Sequence, residues 1–357
     1  MVDALQKRVL VWGLTNNRAG TEAAIVNYAS RVDDVAFDFL CYEAPLVHWE
    51  KLDRSGNRYF VIPSKIKDPL GYTRAIRAFM KEHAREYDAL WFNVNDAANV
   101  DPLKFAKSYG IPRRIVHMHS SDVANAPLTR FFHGLNKGKL VSLATDYRAC
   151  SKAAASFLGA GSDTRIVPNV IDVDAVSFSA EKRADLRTEL GLDEKRVVGT
   201  VGRLVDLKNP AFLLKLMPVL LELDPSIRLV FVGNGVLESE LIEQSKTFGI
   251  EDKVVFAGQQ EDIQAYLSAF DVYVQPSSFE GFGISVLEAQ FNGLPCIVSD
   301  AVPREVDITT GIEHISLDDE RAWVDAILAA DRDQVERFER AARYDAKQID
   351  SFAAEML

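Results

Sequence analysis

Apolar and polar positions in this chain fall into short alternating blocks. Val9-Leu-Val-Trp-Gly-Leu14 is an apolar run that breaks into Thr15-Asn-Asn-Arg-Ala-Gly20, after which Ala23, Ile25, Val26, Tyr28 and Ala29 recur at helical spacing. That predicts a strand, a loop and a helix. The runs Val35–Cys41 and Tyr59–Ile62 predict two more strands, and 70–87 predicts a helix with Leu70, Ile76, Phe79, Met80 and Ala84 apolar and Arg74, Arg77, Lys81 and Arg85 on other faces. Ala89–Asn93 and Arg114–His119 read as buried strands, and 146–151 as a short strand followed by a helix over 152–158. A proline-interrupted connector, 165–172, and a charged helix over 180–190 follow.

The rhythm then restarts. Strands are predicted at 196–202, 228–232, 254–257, 272–275 and 295–299, and helices at 210–223, 237–248 and 263–269. Strands alternating with helices imply parallel sheets whose ligands bind beyond the strands' C-terminal ends. Two doubly wound α/β halves joined near Pro168 is the economical reading, with domains at 1–168 and 169–340 and a helical tail at 341–357. The stretch from Asp331 reads as a mostly polar helix broken near Tyr344-Asp345.

Composition narrows the function. With 357 residues, 48% hydrophobic and 26% charged, the chain suits two globular domains. No stretch approaches the roughly 18 uninterrupted apolar residues of a membrane helix, and the N-terminus has no signal-peptide pattern. Cys41, Cys150 and Cys296 lack any CxxC spacing and fit a reducing cytoplasm. A net charge of −11 argues against nucleic acid as a partner. The basic residues of 70–87 could face anionic lipid or simply be solvated.

The most informative stretch is Glu280-Gly-Phe-Gly-Ile-Ser-Val-Leu-Glu288, two carboxylates spanning a glycine-rich loop that turns into a helix. Ser285 is placed to cap that helix, with Glu288 about one turn in and Glu280 on the loop. Arg203 and Lys208 lie in the loop after the second half's first strand, where two cations suit a diphosphate. Gly233-Asn-Gly235 lacks the third glycine of a dinucleotide fingerprint, and so does the first loop, which counts against a nicotinamide oxidoreductase. His117 and His119 point to one face of their strand, His119 nearer its end. Asp172-Val-Asp174 resembles a short metal–nucleotide motif but follows the connector, and it reads as structural. No Gly-x-Ser-x-Gly elbow supports a hydrolase.

These residues resemble the retaining GT-B glycosyltransferases of group 1, also called family 4. Val201-Gly-Arg-Leu with Lys208-Asn, Phe231-Val-Gly-Asn-Gly, Gly258, Asp262-Ile, Pro276-Ser and Glu280-x7-Glu288 carry the resemblance in the second half. Ala19-Gly-Thr-Glu22, His117-Met-His119, Ala149-Cys-Ser-Lys152 and Val167–Asp172 look like blocks of the bacterial exopolysaccharide and capsule branch.

The resemblance implies two Rossmann-like domains facing across a cleft, with a C-terminal helix crossing back to the first. It also implies hexosyl transfer, with retention and without a metal or other cofactor, from a nucleotide diphosphate sugar to a polysaccharide or lipid-linked acceptor. The protein would be cytoplasmic, at the inner face of the membrane, and a uridine donor is the default. Arg203 and Lys208 would bind the diphosphate, Glu288 the ribose, and Glu280 with Gly281, Phe282, Gly283 and Ile284 the sugar hydroxyls. Gly258 and Gln259 would lie at the base, Gly20 at the diphosphate, His119 near the reacting carbon and Glu22 at the acceptor. Ala19 stands where the family often has a second glycine. With charge building on the leaving diphosphate, His119, Glu280, Arg203 and Lys208 form the catalytic set. The alternative is a silent nucleotide-sugar-binding scaffold, which release of nucleotide diphosphate would exclude.

Overall fold

The computed structural model describes residues 7–17, 20–32, 35–54, 56–123 and 126–348. The chain forms two compact units, Met1–Val170 with Arg343–Leu357, and Ile171–Ala342.

The first unit has seven parallel strands, β1 Lys7–Trp12, β2 Val35–Cys41, β3 Arg58–Val61, β4 Ala89–Val94, β5 Arg113–Met118, β6 Asp146–Ala149 and β7 Thr164–Ile166. Their order is β3-β2-β1-β4-β5-β6-β7. The helices are α1 Gly20–Ala29, α2 Trp49–Leu52, α3 Pro69–His83, α4 Asp101–Ser108, α5 Pro127–Leu143 and α6 Lys152–Leu158. Every residue of β2 is buried, as expected of a strand covered on both faces. Its one charge, Asp38, is met by Arg8 at 2.8 Å, by Arg58 and by the Tyr87 hydroxyl at 2.9 Å, so the carboxylate is not left unpaired in the core. In α3, Tyr72, Ile76, Phe79 and Met80 turn inward while Leu70 stays exposed. Asp68 caps this helix by accepting from Gly71 N, and Ser151 caps α6 through Ala154 N.

The second unit has six parallel strands, β8 Arg196–Val201, β9 Ile227–Val232, β10 Val254–Phe256, β11 Val272–Gln275, β12 Cys296–Ser299 and β13 Ile312–Ile315, in the order β10-β9-β8-β11-β12-β13. Helices α7 Ala180–Glu189, α8 Pro210–Leu223, α9 Glu238–Thr247, α10 Ile263–Ala269, α11 Ile284–Phe291 and α12 Glu320–Ala329 complete it. Phe212, Phe231, Met217 and Trp323 belong to an apolar cluster in its core. Arg183 and Arg187 of α7 both bind Asp271, which fixes the entry to β11.

Two expectations need correcting. The stretch from Asp331 is not an α-helix but a series of 3-10 turns at Arg332–Gln334, Glu339–Tyr344 and Ala346–Gln348. Thr310 N donates to Glu336 O and Phe338 N to Ile308 O, both at 2.8 Å, and this extended pairing interrupts any helical run; of the tail expected at 341–357, residues beyond 348 lie outside those described. Ser285 does not cap α11. Gly283, left-handed at φ +92°, is the N-cap, and the Ser285 hydroxyl instead donates to Gln275 at 2.9 Å. Among the described residues, no helix is long and apolar enough to cross a membrane.

Candidate active site

In each sheet the strand order reverses once, between β1 and β4 in the first unit and between β8 and β11 in the second. Crossovers leave such a point in opposite directions and open a crevice at the strands' C-terminal ends.

In the second unit the loop after β8 carries Arg203 and Lys208, and the loop after β11 carries Glu280. Ser278 N donates to Leu207 O at 2.9 Å and ties the two loops together. The resulting concavity is lined by Thr200, Gly202, Arg203, Lys208, Gln275 and Pro276 among others. Lys208 Nζ is ion-paired with Glu280 Oε2, which also accepts from Gln275 Nε2 at 2.6 Å. Gln275 is buried, and its Oε1 accepts from the Tyr273 hydroxyl at 2.6 Å and from Ser285. Those two donors fix the orientation of the amide, so its nitrogen faces Glu280. Arg203 is exposed, with no hydrogen bond or ion pair among the described residues. The structure therefore joins the expected diphosphate ligand Lys208 to the expected sugar ligand Glu280 and leaves Arg203 as the open cation.

Glu288 lies one turn into α11, half-buried, without a side-chain hydrogen bond or ion pair among the described residues. Burial pushes its carboxyl up to about 7, because no cation offsets the lost hydration. Such a group gains from donors that favour its charged form, as paired hydroxyls do. Gly281 and Ile284 are half-buried and Phe282 is buried. Gly258 follows β10 and accepts from Gly233 N at 2.7 Å, beside the exposed Gln259. Gly233 and Gly235 pack directly on the Gly202 and Leu204 backbones, so their first role is to let neighbouring loops touch.

In the first unit Gly13, at φ +105°, follows β1, and a Cβ there would stand 2.3 Å from Asn93 O. Asn93, near the end of β4, is buried and donates through Nδ2 to Trp12 O at 3.2 Å. Its Oδ1 therefore accepts, and the partner 2.9 Å away is His119 Nε2. This assigns the proton of His119 to Nε2 and leaves Nδ1 as an acceptor, with the Asn169 side chain beside the ring. Burial pulls the His119 pKa down to about 4, and that of His117 well below its ordinary value. The two rings lie 4.1 Å apart, and His117 stacks on Trp91 with the Val167 backbone beside it. Gly20 opens α1, while Glu22 in its first turn is buried and accepts from the Thr15 hydroxyl at 2.5 Å. Ala19 lies outside the described residues.

The residues that sequence reasoning missed are Asn93 and Gln275. Both are buried amides in the last turn of strand at a switch point, and the signal was a polar residue closing an otherwise apolar run, Ala89-Leu-Trp-Phe-Asn93 and Val272-Tyr-Val-Gln275.

Two parallel-sheet α/β units, each with polar loops at a switch point, are the architecture of GT-B enzymes. The solved structure of Alr3699/HepE from Anabaena in complex with UDP and glucose shares this fold, with a TM-score of 0.76 and 20% identity over 98% of each chain. The chain belongs to the group 1 glycosyltransferases. The family model described as glycosyl transferases group 1 matches residues 182–348. EpsF of Bacillus subtilis, which carries a glycosyltransferase name, is 31% identical over 351 residues, 92% of this chain and 89% of that one. The UDP-Gal:alpha-D-GlcNAc-diphosphoundecaprenol alpha-1,3-galactosyltransferase of Escherichia coli is 32% identical over 177 residues, 48% of this chain and 46% of its own. The protein is accordingly a glycosyltransferase.

Proposed function

We propose that this glycosyltransferase moves a sugar from a UDP-sugar to a saccharide or lipid-linked saccharide in exopolysaccharide synthesis, with retained anomeric configuration and without a divalent metal. The observation behind this reading is the grouping of Arg203, Lys208, Glu280 and Gln275 at the β8–β11 switch point. The uridine donor and the lipid-linked acceptor are drawn from the UDP-bound fold relative and the galactosyltransferase relative.

As the glycosyl–phosphate bond breaks, negative charge builds on the leaving diphosphate. Arg203 is free to meet it, and Lys208, held in place by Glu280, is oriented before the donor arrives. Preorganised cations act where charge develops and need not reorganise during the reaction. Glu280 and Glu288 accept hydrogen bonds from the sugar and ribose hydroxyls. His119 in its neutral form accepts a sugar hydroxyl at Nδ1 and, with so low a pKa, serves as an acceptor and not as an acid at neutral pH.

The test follows release of nucleotide diphosphate and the anomeric proton of the product by NMR across UDP-, GDP- and ADP-sugars, with and without EDTA. UDP release with a retained anomer, unaffected by EDTA, supports the proposal. An inverted product, or turnover that needs added metal, overturns the corresponding part of it.

A further inference from the structure

Among the described residues of the second unit, the glutamines Gln275 and Gln290 are buried, and they differ in what they hold. Gln290, on α11, accepts at Oε1 from Ile308 N at 2.9 Å and from Thr309 N at 3.1 Å, and donates through Nε2 to Val306 O at 2.8 Å. It ties backbone to backbone and belongs to the frame. Gln275 bonds through its side chain to no backbone group among the described residues. Its partners are the Tyr273 hydroxyl, the Ser285 hydroxyl and Glu280 Oε2. An apolar residue at this position would extend the run Val272-Tyr-Val and avoid desolvating an amide. Glu280 explains the amide, and the strand does not.

An ionised carboxylate offers about four acceptor positions, about two on each oxygen. Both donors that reach Glu280 come to the same oxygen: Gln275 Nε2 lies 2.6 Å from Oε2, and Lys208 Nζ is ion-paired with Oε2. Glu280 Oε1 has no hydrogen bond or ion pair among the described residues. The lysine alone would let the carboxylate exchange its oxygens, because an ammonium is a point charge with no preferred plane. The amide removes that freedom. Tyr273 and Gln275 are two residues apart on β11 and share a face of the strand, so the phenol reaches Gln275 Oε1 at 2.6 Å. Ser285, in the first turn of α11, reaches the same oxygen at 2.9 Å. With its oxygen held twice, Gln275 has only its nitrogen to present to Glu280.

We infer that Gln275 is a positioning residue that commits one oxygen of Glu280 to the protein, so that Glu280 reads a single sugar hydroxyl through Oε1 and does not span two adjacent hydroxyls, one on each oxygen. The inference rests on the reading of Glu280 as a sugar ligand and adds selectivity to it: Glu280 discriminates at one ring position of the donor and is indifferent to the next. Tyr273 and Ser285 act at one remove, by fixing the amide.

The experiment is calorimetric binding to the full chain of UDP, of UDP-glucose, UDP-galactose and UDP-N-acetylglucosamine, and of the monodeoxy analogues of whichever sugar binds tightest. It is run on the parent, Gln275→Leu, Glu280→Ala and the double variant. In the parent, loss of one particular hydroxyl should weaken binding about tenfold to a hundredfold, as expected for a hydrogen bond to a charged group. Glu280→Ala should abolish that penalty and leave the penalties at other hydroxyls in place. Gln275→Leu should weaken the UDP-sugar severalfold, leave UDP affinity unchanged and shrink the penalty at that same hydroxyl. Added to Glu280→Ala it should change sugar selectivity no further, the signature of two residues acting together. Where Gln275→Leu melts early because two hydroxyls lose their acceptor, Ser285→Ala removes only one restraint on the amide and should show the same pattern in smaller measure. Equal weakening of UDP and UDP-sugar by both variants overturns the inference and assigns Gln275 to the frame. Penalties at two neighbouring hydroxyls that both vanish in Glu280→Ala overturn it as well. Failure of UDP itself to bind overturns the uridine donor reading, and this inference with it; UDP binding with no penalty that depends on Glu280 removes the sugar role of Glu280 and leaves the uridine donor standing.

Discussion

The raised pKa of Glu288 makes a prediction that can be read without any knowledge of acceptor or sugar. An ordinary glutamate sits at 4.5, and burial holds this one at about 7 in the folded chain. Below pH 4.5 the carboxyl is protonated in both folded and unfolded states and folding is indifferent to it. Between 4.5 and 7 the unfolded chain loses the proton while the folded one keeps it, so stability falls as pH rises through this window and levels off above 7. At about 1.4 kcal/mol per pH unit the loss approaches about 3 kcal/mol, an upper figure because the group is half-buried. For a unit of this size that is roughly 6–12 °C in melting temperature. Glu288→Gln removes the titration while keeping the shape. Its melting curve should match the parent near pH 4.5 and exceed it progressively towards pH 8. Donor binding should respond in the opposite sense. Ribose hydroxyls favour the charged carboxylate, so UDP affinity of the parent should rise with pH through 7 with release of a proton, measured as a buffer-dependent enthalpy, and the Gln variant should lose both. Parallel melting curves for parent and variant across pH 4.5–8 would refute the argument.

Arg203→Ala should lower kcat/KM for the nucleotide sugar about tenfold to a hundredfold, the worth of one charge-assisted contact, with little change in melting temperature because Arg203 has no hydrogen bond or ion pair among the described residues. Lys208→Ala should lower it at least as far and also loosen the β8 and β11 loops, since Glu280 loses its cation; activity within about threefold of the parent for either variant, less than about 1 kcal/mol, would contradict the role. Asn93→Asp places a carboxylate on His119 Nε2 and should raise the His119 pKa from about 4, giving the activity profile a new acidic limb; imidazole nitrogen NMR should show the Nε2-H form in the parent. Gly13→Ala should destabilise the first unit, because its Cβ meets the Asn93 backbone.

Much of the fold was legible because its core elements bury what their pattern advertises. Val35–Cys41, Lys152–Leu158, Pro210–Leu223, Ile263–Ala269 and Val272–Gln275 read from hydrophobic spacing as they stand in the structure. Elements went unread where burial and pattern part company. In α5 the apolar spacing faces outward and a histidine anchors the inner side, so periodicity named no core face. In α12 charged residues interleave with Trp323, Val324 and Ile327, and β13 is an edge strand of four residues with only Ile315 buried. At the site, the titratable residues were visible because charged groups beside glycines are rare within apolar blocks. The partners that hold them were not. No local spacing announces that Glu280 meets Lys208, 72 positions away, or that Ser285 turns from the helix end to Gln275, because those contacts exist only once β8 and β11 lie side by side.

The two amides show what the sites ask of their supports. Asn93 and Gln275 stand at equivalent places, on the strand next to the first strand of each unit, and each has one end of its amide fixed by neighbouring groups. With that end fixed, the other end has a determined polarity, an oxygen toward His119 and a nitrogen toward Glu280. A charged residue at either place would do this by adding a charge to a dry interior, at a cost of several kcal/mol. It would also shift the pKa of the group it holds. A neutral amide orients without either effect. That leaves His119 uncharged and able to accept, and leaves Glu280 a carboxylate whose charge is answered by Lys208. Around the donor loops the division follows from dielectric: the buried Gln275 supplies a dipole, the half-buried Lys208 and Glu280 form an ion pair, and the exposed Arg203 has no hydrogen bond or ion pair among the described residues.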